Sequence, residues 1–129
     1  MKEIHVGDES SFSRTFSRED IMNFAQISYD TGRHHVNSGK KLLVHGLLLA
    51  TLPTKLGGDL NFIAKDMEFY FRNAVYEGDI ILCIARLEKL VKQKKRLKCK
   101  FSFRCFNQNG VLVLEGISSG MIWNDGVTE

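Results

Sequence analysis

The spacing of apolar residues changes near residue 60. Beyond it the chain alternates: Leu97, Cys99, Phe101, Phe103 and Cys105 are interleaved with Lys98, Lys100, Ser102 and Arg104. That period of two belongs to a strand with one buried face. Similar long strands are predicted over 67–72, 79–91 and 111–123, beside 96–106 itself. Glu77-Gly78-Asp79, Lys94-Lys95 and Asn109-Gly110 read as the hairpin turns between them, the last being the strongest turn pair. Before residue 60 the pattern is different. Residues 10–16 form a short strand, and Ser17, three positions ahead of Asp20, has the spacing of a helix N-cap with an acid in the first turn. Ile21, Phe24, Ala25 and Ile27 or Ser28 give the following helix one apolar face. A second helix is expected from near His45 to Leu56, stopped by Gly57-Gly58. Val44, Leu47, Leu48, Leu49, Ala50, Leu52 and Leu56 cover nearly its whole circumference, which requires burial on most sides. Pro53 lacks an N–H, so a bend is expected there, with the Leu49 carbonyl losing its usual partner.

These elements make one α+β domain over 1–129, a long antiparallel sheet wrapped around a central apolar helix. The free edges of such a sheet invite pairing with a second copy. The composition agrees: 129 residues, 43% hydrophobic and 26% charged, the balance of a soluble globular chain. The longest apolar run, LLVHGLLLATL, is broken by His45 and is too short to cross a bilayer, so membrane insertion is not expected. No basic leader precedes an apolar core at the start, which makes a cytoplasmic location the expectation. Cys83, Cys99 and Cys105 lie in apolar or alternating runs without metal-type spacing and read as reduced core cysteines. The net charge of +3 suits an anionic small ligand without requiring nucleic acid, and there is no room for a helix-turn-helix. The basic run at 89–100 has two readings, a phosphate-binding patch or a solvated hairpin tip with lysines guarding a strand edge. The pattern favours the hairpin tip.

Candidate chemistry is concentrated just ahead of the apolar helix, in YDTGRHHVNSGKKLLVHG. Asp30 and His35 are separated by four residues, and a turn through Gly32 could bring them together, a common way to hold an imidazole and share activation of one water. The plainer reading makes Asp30 a turn cap and leaves His34 and His35 as exposed loop residues. Metal binding by His34, His35 and His45 lacks the usual ligand spacing, and no cofactor is expected. Gly46, at the first turn of the apolar helix, leaves backbone N–H groups without intrahelical partners, a cradle for an oxyanion that develops on a thioester or ester carbonyl. The alternative is a glycine kept for close packing, with His45 a half-buried cap.

Together these residues resemble the MaoC-like (R)-specific enoyl-CoA hydratases and acyl dehydratases of the hot-dog fold. Asp30 and His35 in DTGRHH match the aspartate and histidine of the family's Asp-x-Asn-Pro-x-His pattern. VHGLLLATLPTKLGG supplies its His-Gly and central helix, and FYFRNAVYEGDII is similar to its strand–turn–strand, so that the likeness runs from Val6 to Trp123. The resemblance implies hydration of a trans-2-enoyl thioester, or dehydration of an (R)-3-hydroxyacyl thioester. Asp30 and His35 would then activate the water, and the Gly46 N–H would polarise the carbonyl. Thr54 matches a helix position bearing a small hydroxyl residue, and with His45 and Leu47 it completes the expected substrate-contacting set. The substrate would be an acyl-CoA or acyl-carrier-protein thioester, with basic rim residues meeting its phosphates, and the assembly a homodimer or larger homo-oligomer whose sheets join edge to edge. Three features depart from the pattern. Gly32-Arg33 replaces Asn-Pro, the segment from His35 to His45 is shorter by roughly two helical turns, and RNAV lacks the proline before valine. A thioesterase and a non-catalytic acyl-thioester binder are the alternative functions that share these residues.

Overall fold

The computed structural model describes residues 3–36 and 40–123. Strand β1 (Glu9–Thr15) leads into helix α1 (Arg18–Ser28), followed by the short helices α2 (Arg33–Val36) and α3 (Gly46–Leu49) and by α4 (Thr51–Asp59). Four long strands complete the chain: β2 (Phe62–Phe71), β3 (Ile80–Lys92), β4 (Arg96–Phe106) and β5 (Leu112–Trp123). All five strands form one antiparallel sheet in the order β1-β3-β4-β5-β2. This is the hot-dog arrangement, with α3 and α4 lying in the hollow of the sheet.

Local chemistry explains most of the boundaries. At the start of α1 the Ser17 hydroxyl accepts the Asp20 N–H at 3.1 Å, and the Asp20 carboxylate accepts the Ser17 N–H at 2.9 Å. This reciprocal cap satisfies two otherwise unpaired donors. The Ser17 N–H, helped by Arg14, holds the Asp20 carboxyl below the usual carboxylate range. The expected bend in the apolar helix is a break at Ala50, three residues before Pro53. Pro53 therefore sits in the first turn of α4, where an N–H has no intrahelical acceptor to lose. Gly57 and Gly58 do not stop this helix, which continues to Asp59 and ends where Asn61 turns left-handed at φ 57°.

Burial of the apolar helix is one-sided. Leu48, Leu49, Leu52 and Leu56 join Phe16, Ile21, Ile81, Phe103 and Leu114 in the main core, whereas Leu47 is 64% exposed in the single chain. The expectation that the helix is covered on most sides is corrected accordingly.

The turns at 93–95 and 107–111 join adjacent strands, as the pairing of β3 with β4 and β4 with β5 shows. Glu77-Gly78-Asp79 is a turn but not a hairpin, since β2 pairs with β5 and β3 with β1 and β4. Gly78 takes φ 88° there and its N–H donates to the Phe16 carbonyl, pinning the crossover to the end of β1. Strand β2 begins earlier than its alternation suggested, because a bulge between Ala64 and Asp66 breaks the period. The basic run lies on the β3–β4 hairpin. Beyond Leu87, β3 pairs with β4 alone, so Lys89 and Lys92 stand on an open edge. All three cysteines are free and buried.

Candidate active site

The site is built where α1 ends. Tyr29 adopts the left-handed conformation at φ 61°, an uncommon one for a side chain of this size, and the chain turns sharply into Asp30. The Ser28 hydroxyl accepts the Asp30 N–H, and the Asp30 carboxylate accepts the Gly32 N–H at 3.3 Å. The His35 N–H then donates to the Gly32 carbonyl at 2.8 Å, winding Arg33–Val36 into the single turn of α2. That turn faces His35 inward, 5% exposed, and leaves His34 outside. The plain loop expected here is thus partly helical.

The geometry fixes the tautomers. His35 Nδ1 lies 2.6 Å from the Leu43 carbonyl, which can only accept, so Nδ1 carries the proton. His35 Nε2 is thereby turned toward Asp30, 3.7 Å from Oδ2, while the Asp30 side chain is 54% exposed. The gap is too wide for a direct hydrogen bond and suits a water molecule held by both groups. His45 lies behind the pair, only 2% exposed, with its ring stacked on His35 at 3.6 Å between centroids and 15° between planes. Its Nε2 donates to the Asp30 carbonyl at 3.0 Å, and the Phe24 ring packs against it at a tilt, 4.9 Å between centroids. His45 thus ties Asp30 and His35 together from the core side. Its Nδ1 is buried without a partner among the described residues.

One ligand atom each from Asp30, His35 and His45 fall within 4.8 Å of one another. The near-parallel stack does not suit a shared metal ion, because an ion must lie in the plane of each ring that ligates it, and these planes run side by side. His34 points out of the group and sits edge-on to His35.

Gly46 follows His45 directly and is the first residue of α3. The first intrahelical bond there is Leu49 N–H to the His45 carbonyl, so the amides of Gly46, Leu47 and Leu48 precede the ladder. A Cβ at Gly46 would lie 2.9 Å from Cε1 of Phe71, so the ring packs against the bare backbone. Phe71 had no distinguishing signal in the sequence, where it reads as one apolar strand position among several. Thr54 lies farther along the helix, its hydroxyl donating to the Ala50 carbonyl at 3.0 Å. It borders an apolar cavity of about 200 Å³ between α4 and the sheet, walled by Leu56, Gly57, Phe62, Phe101 and Phe103 among others. Phe101 and Phe103 were legible as one face of an alternating strand but not as the wall of a cavity, and Phe62 lay outside the strands the sequence predicted.

No family model matches the chain. It is 31% identical over 131 residues to the mitochondrial 3-hydroxyacyl-[acyl-carrier-protein] dehydratase of Arabidopsis thaliana, across 94% of this chain and 79% of that protein. It is 25% identical over 128 residues to the corresponding mitochondrial dehydratase FERN of Solanum lycopersicum, across 92% of this chain and 78% of that one. Among solved structures, the (R)-hydratase from A. caviae involved in PHA biosynthesis superposes with a TM-score of 0.83 at 24% identity, covering 95% of this chain and 99% of that one.

Proposed function

The chain belongs to the MaoC-like family of hydratases and 3-hydroxyacyl dehydratases, and on that premise we propose that it interconverts trans-2-enoyl and (R)-3-hydroxyacyl thioesters through Asp30, His35 and Gly46. The enzyme is a hydro-lyase. The observation that carries the assignment of residues is the placement of His35 Nε2 at 3.7 Å from Asp30 Oδ2, with the other ring nitrogen locked to Leu43.

In the hydration direction, a water held between Asp30 and His35 attacks C3 of the enoyl thioester and loses a proton to the pair. Electron density moves onto the thioester oxygen, where the Gly46 N–H opposes the negative charge. The pair then returns a proton to C2, so that H and OH have been added and the site is restored. Dehydration runs through the same steps in reverse. The arrangement uses side chains and a backbone amide alone. The apolar cavity beside Thr54 offers a place for the acyl chain away from water.

A homodimer joined along β2 fits this reading. That strand is an edge of the sheet, and Ile63, Met67 and Phe71 on it are exposed in the single chain. Unpaired backbone together with apolar side chains is the surface that a second copy would cover.

The test is to incubate the protein with trans-2-butenoyl-CoA, following absorbance of the conjugated enoyl thioester, and to resolve the enantiomers of the product. Loss of absorbance with formation of the 3R product is expected. Release of free thiol without hydration would assign a thioesterase, and binding without either reaction would assign a carrier or sensor of acyl thioesters.

A further inference from the structure

The outer face of the sheet carries a charge that the reaction does not use. Leu97, Cys99 and Ile122 point into a second, smaller core cluster around Leu87, and strand alternation turns their neighbours to the opposite face. Three cross-strand rows result at the end of the sheet that bears the β3–β4 turn: Lys89 beside Lys100 and Ser119, Val91 beside Lys98 and Met121, and Arg96 beside Trp123. All of these except Trp123, with Lys65 and Asp66 from the β2 bulge, line an open depression of about 400 Å³. Lys92, Lys94 and Lys95 stand exposed at the adjoining turn. The basic run is therefore part of a face and not of a hairpin tip alone. Without these eight cations the chain, at net +3, would hold five more acids than bases.

Little inside the protein balances this charge. Among the described residues, Lys65, Lys89, Lys98 and Lys100 have no carboxylate within ion-pair distance. Glu88 is engaged by Arg86 and by the Ser102 hydroxyl, which leaves Asp66 as the one acid lining the depression. Lys89 and Lys100 are direct partners across β3 and β4. Like charges so placed weaken a sheet, and an anion lying over them relieves the repulsion.

Apolar side chains lie among the cations. Val91 is 55% exposed and Trp123 46%. The Arg96 guanidinium lies over the indole, 5.9 Å from its centroid, and reaches the Met121 sulfur at 3.6 Å. Nucleic-acid phosphates would gain nothing from Val91 and Met121. A bilayer surface takes up both kinds of group, since lysines meet lipid phosphates while an indole and aliphatic side chains settle among the headgroups. Among the described residues no helix is long and apolar enough to cross a membrane, so the contact is one of surfaces.

We propose that this end of the outer sheet face binds the surface of a bilayer containing anionic phospholipids. It stands apart from the candidate active site. Phe71, which packs against Gly46, pairs with Leu114 on β5. Trp123 lies nine residues farther along that strand, about 30 Å at about 3.3 Å per residue. The proposal is thus independent of the reaction assigned to Asp30 and His35.

The experiment sediments the whole chain with vesicles of phosphatidylcholine alone and of phosphatidylcholine containing about 30% phosphatidylglycerol. Trp123 is the only tryptophan in the sequence, so its emission reports on this face directly. Binding to the anionic vesicles alone is expected, with emission moved to shorter wavelength and release by about 0.5 M salt. The double variant Lys98→Glu, Lys100→Glu, with its fold verified by circular dichroism, should partition about tenfold or more weakly. Lys98→Arg with Lys100→Arg should bind as wild type does. Equal binding to both kinds of vesicle, binding to neither, or undiminished binding by the charge-reversed variant overturns the proposal. The salt release of wild type is decisive even where a variant does not fold, because binding to anionic vesicles that salt leaves intact also overturns it. A short DNA duplex completes the comparison: a protein that captures the duplex and ignores the anionic vesicles has a nucleic-acid surface here, which contradicts the lipid assignment.

Discussion

At the residue scale, the site depends on how few degrees of freedom His35 and Asp30 retain. One nitrogen of His35 is bound to Leu43 and one face is covered by His45, whose Nε2 also holds the Asp30 main chain. His45→Phe keeps a flat ring against His35 but removes the tether. It is expected to lower kcat by about tenfold or more while shifting the melting temperature little, since one buried hydrogen bond nets only about 1 kcal/mol. Steady-state kinetics beside thermal unfolding check this, and an unchanged kcat would show that the tether is dispensable. Gly46→Ala tests the other side of the site. A Cβ there meets the ring of Phe71, which is half exposed and free to shift. The fold should survive, with kcat/KM reduced about tenfold as the ring moves over the Gly46 amide that the proposed mechanism uses. The Asp30–His35 pair was legible in the sequence through its resemblance to the family's aspartate–histidine pattern, since residue type and spacing alone also allowed a turn cap and an exposed loop histidine. The Leu43 carbonyl was not, because any residue supplies one.

At the scale of elements, legibility followed the period of the pattern. Strand β4 was legible to its ends, since its alternation is unbroken from Leu97 to Cys105. The first five residues of β2 were not, because the bulge near Lys65 disturbs the alternation. Helix α2 carries no apolar period at all. It exists because Gly32 and Leu43 bond to its backbone from outside. The Gly57-Gly58 stop failed for a related reason: packing of Leu56 in the core extends α4 through two glycines of poor intrinsic propensity. The pairing of β2 with β5 is non-local and leaves its trace in Gly116 and Gly120. A Cβ at either would run into a carbonyl of β2, that of Glu68 or Ile63. Gly120→Ala should therefore destabilise the protein by about 2 kcal/mol or more, measured by denaturant unfolding, because backbone rather than a movable side chain occupies the space. A loss below 0.5 kcal/mol would mean that β2 yields without cost.

At the scale of the whole molecule, two carboxylates hold the segments around the site, Asp20 locally and Glu77 across the chain. Asp20 caps α1, and Glu77 links Arg18 to the 40–43 segment beside the site. Both have folded-state pKa values below those of the free side chains. Such groups contribute stability that is present above the unfolded pKa and lost as pH falls through the folded one. The melting temperature should be flat near neutrality and decline below about pH 4. Glu77→Gln should flatten part of that decline, and an identical acid limb in the variant would contradict the assignment. Cys83 and Cys105 face each other across β3 and β4, and their contact together with burial raises the Cys105 thiol well above its ordinary value.

The central claim is that Asp30 and His35 act as one unit on one water. It is tested most directly by the initial rate of butenoyl-CoA hydration in wild type, Asp30→Asn, His35→Ala and the double variant, each with its fold verified by circular dichroism. Each single variant should lose about 10²- to 10⁴-fold in kcat, and the double variant should be little worse than the poorer single one. A folded His35→Ala or Asp30→Asn that hydrates at the wild-type rate would contradict the account.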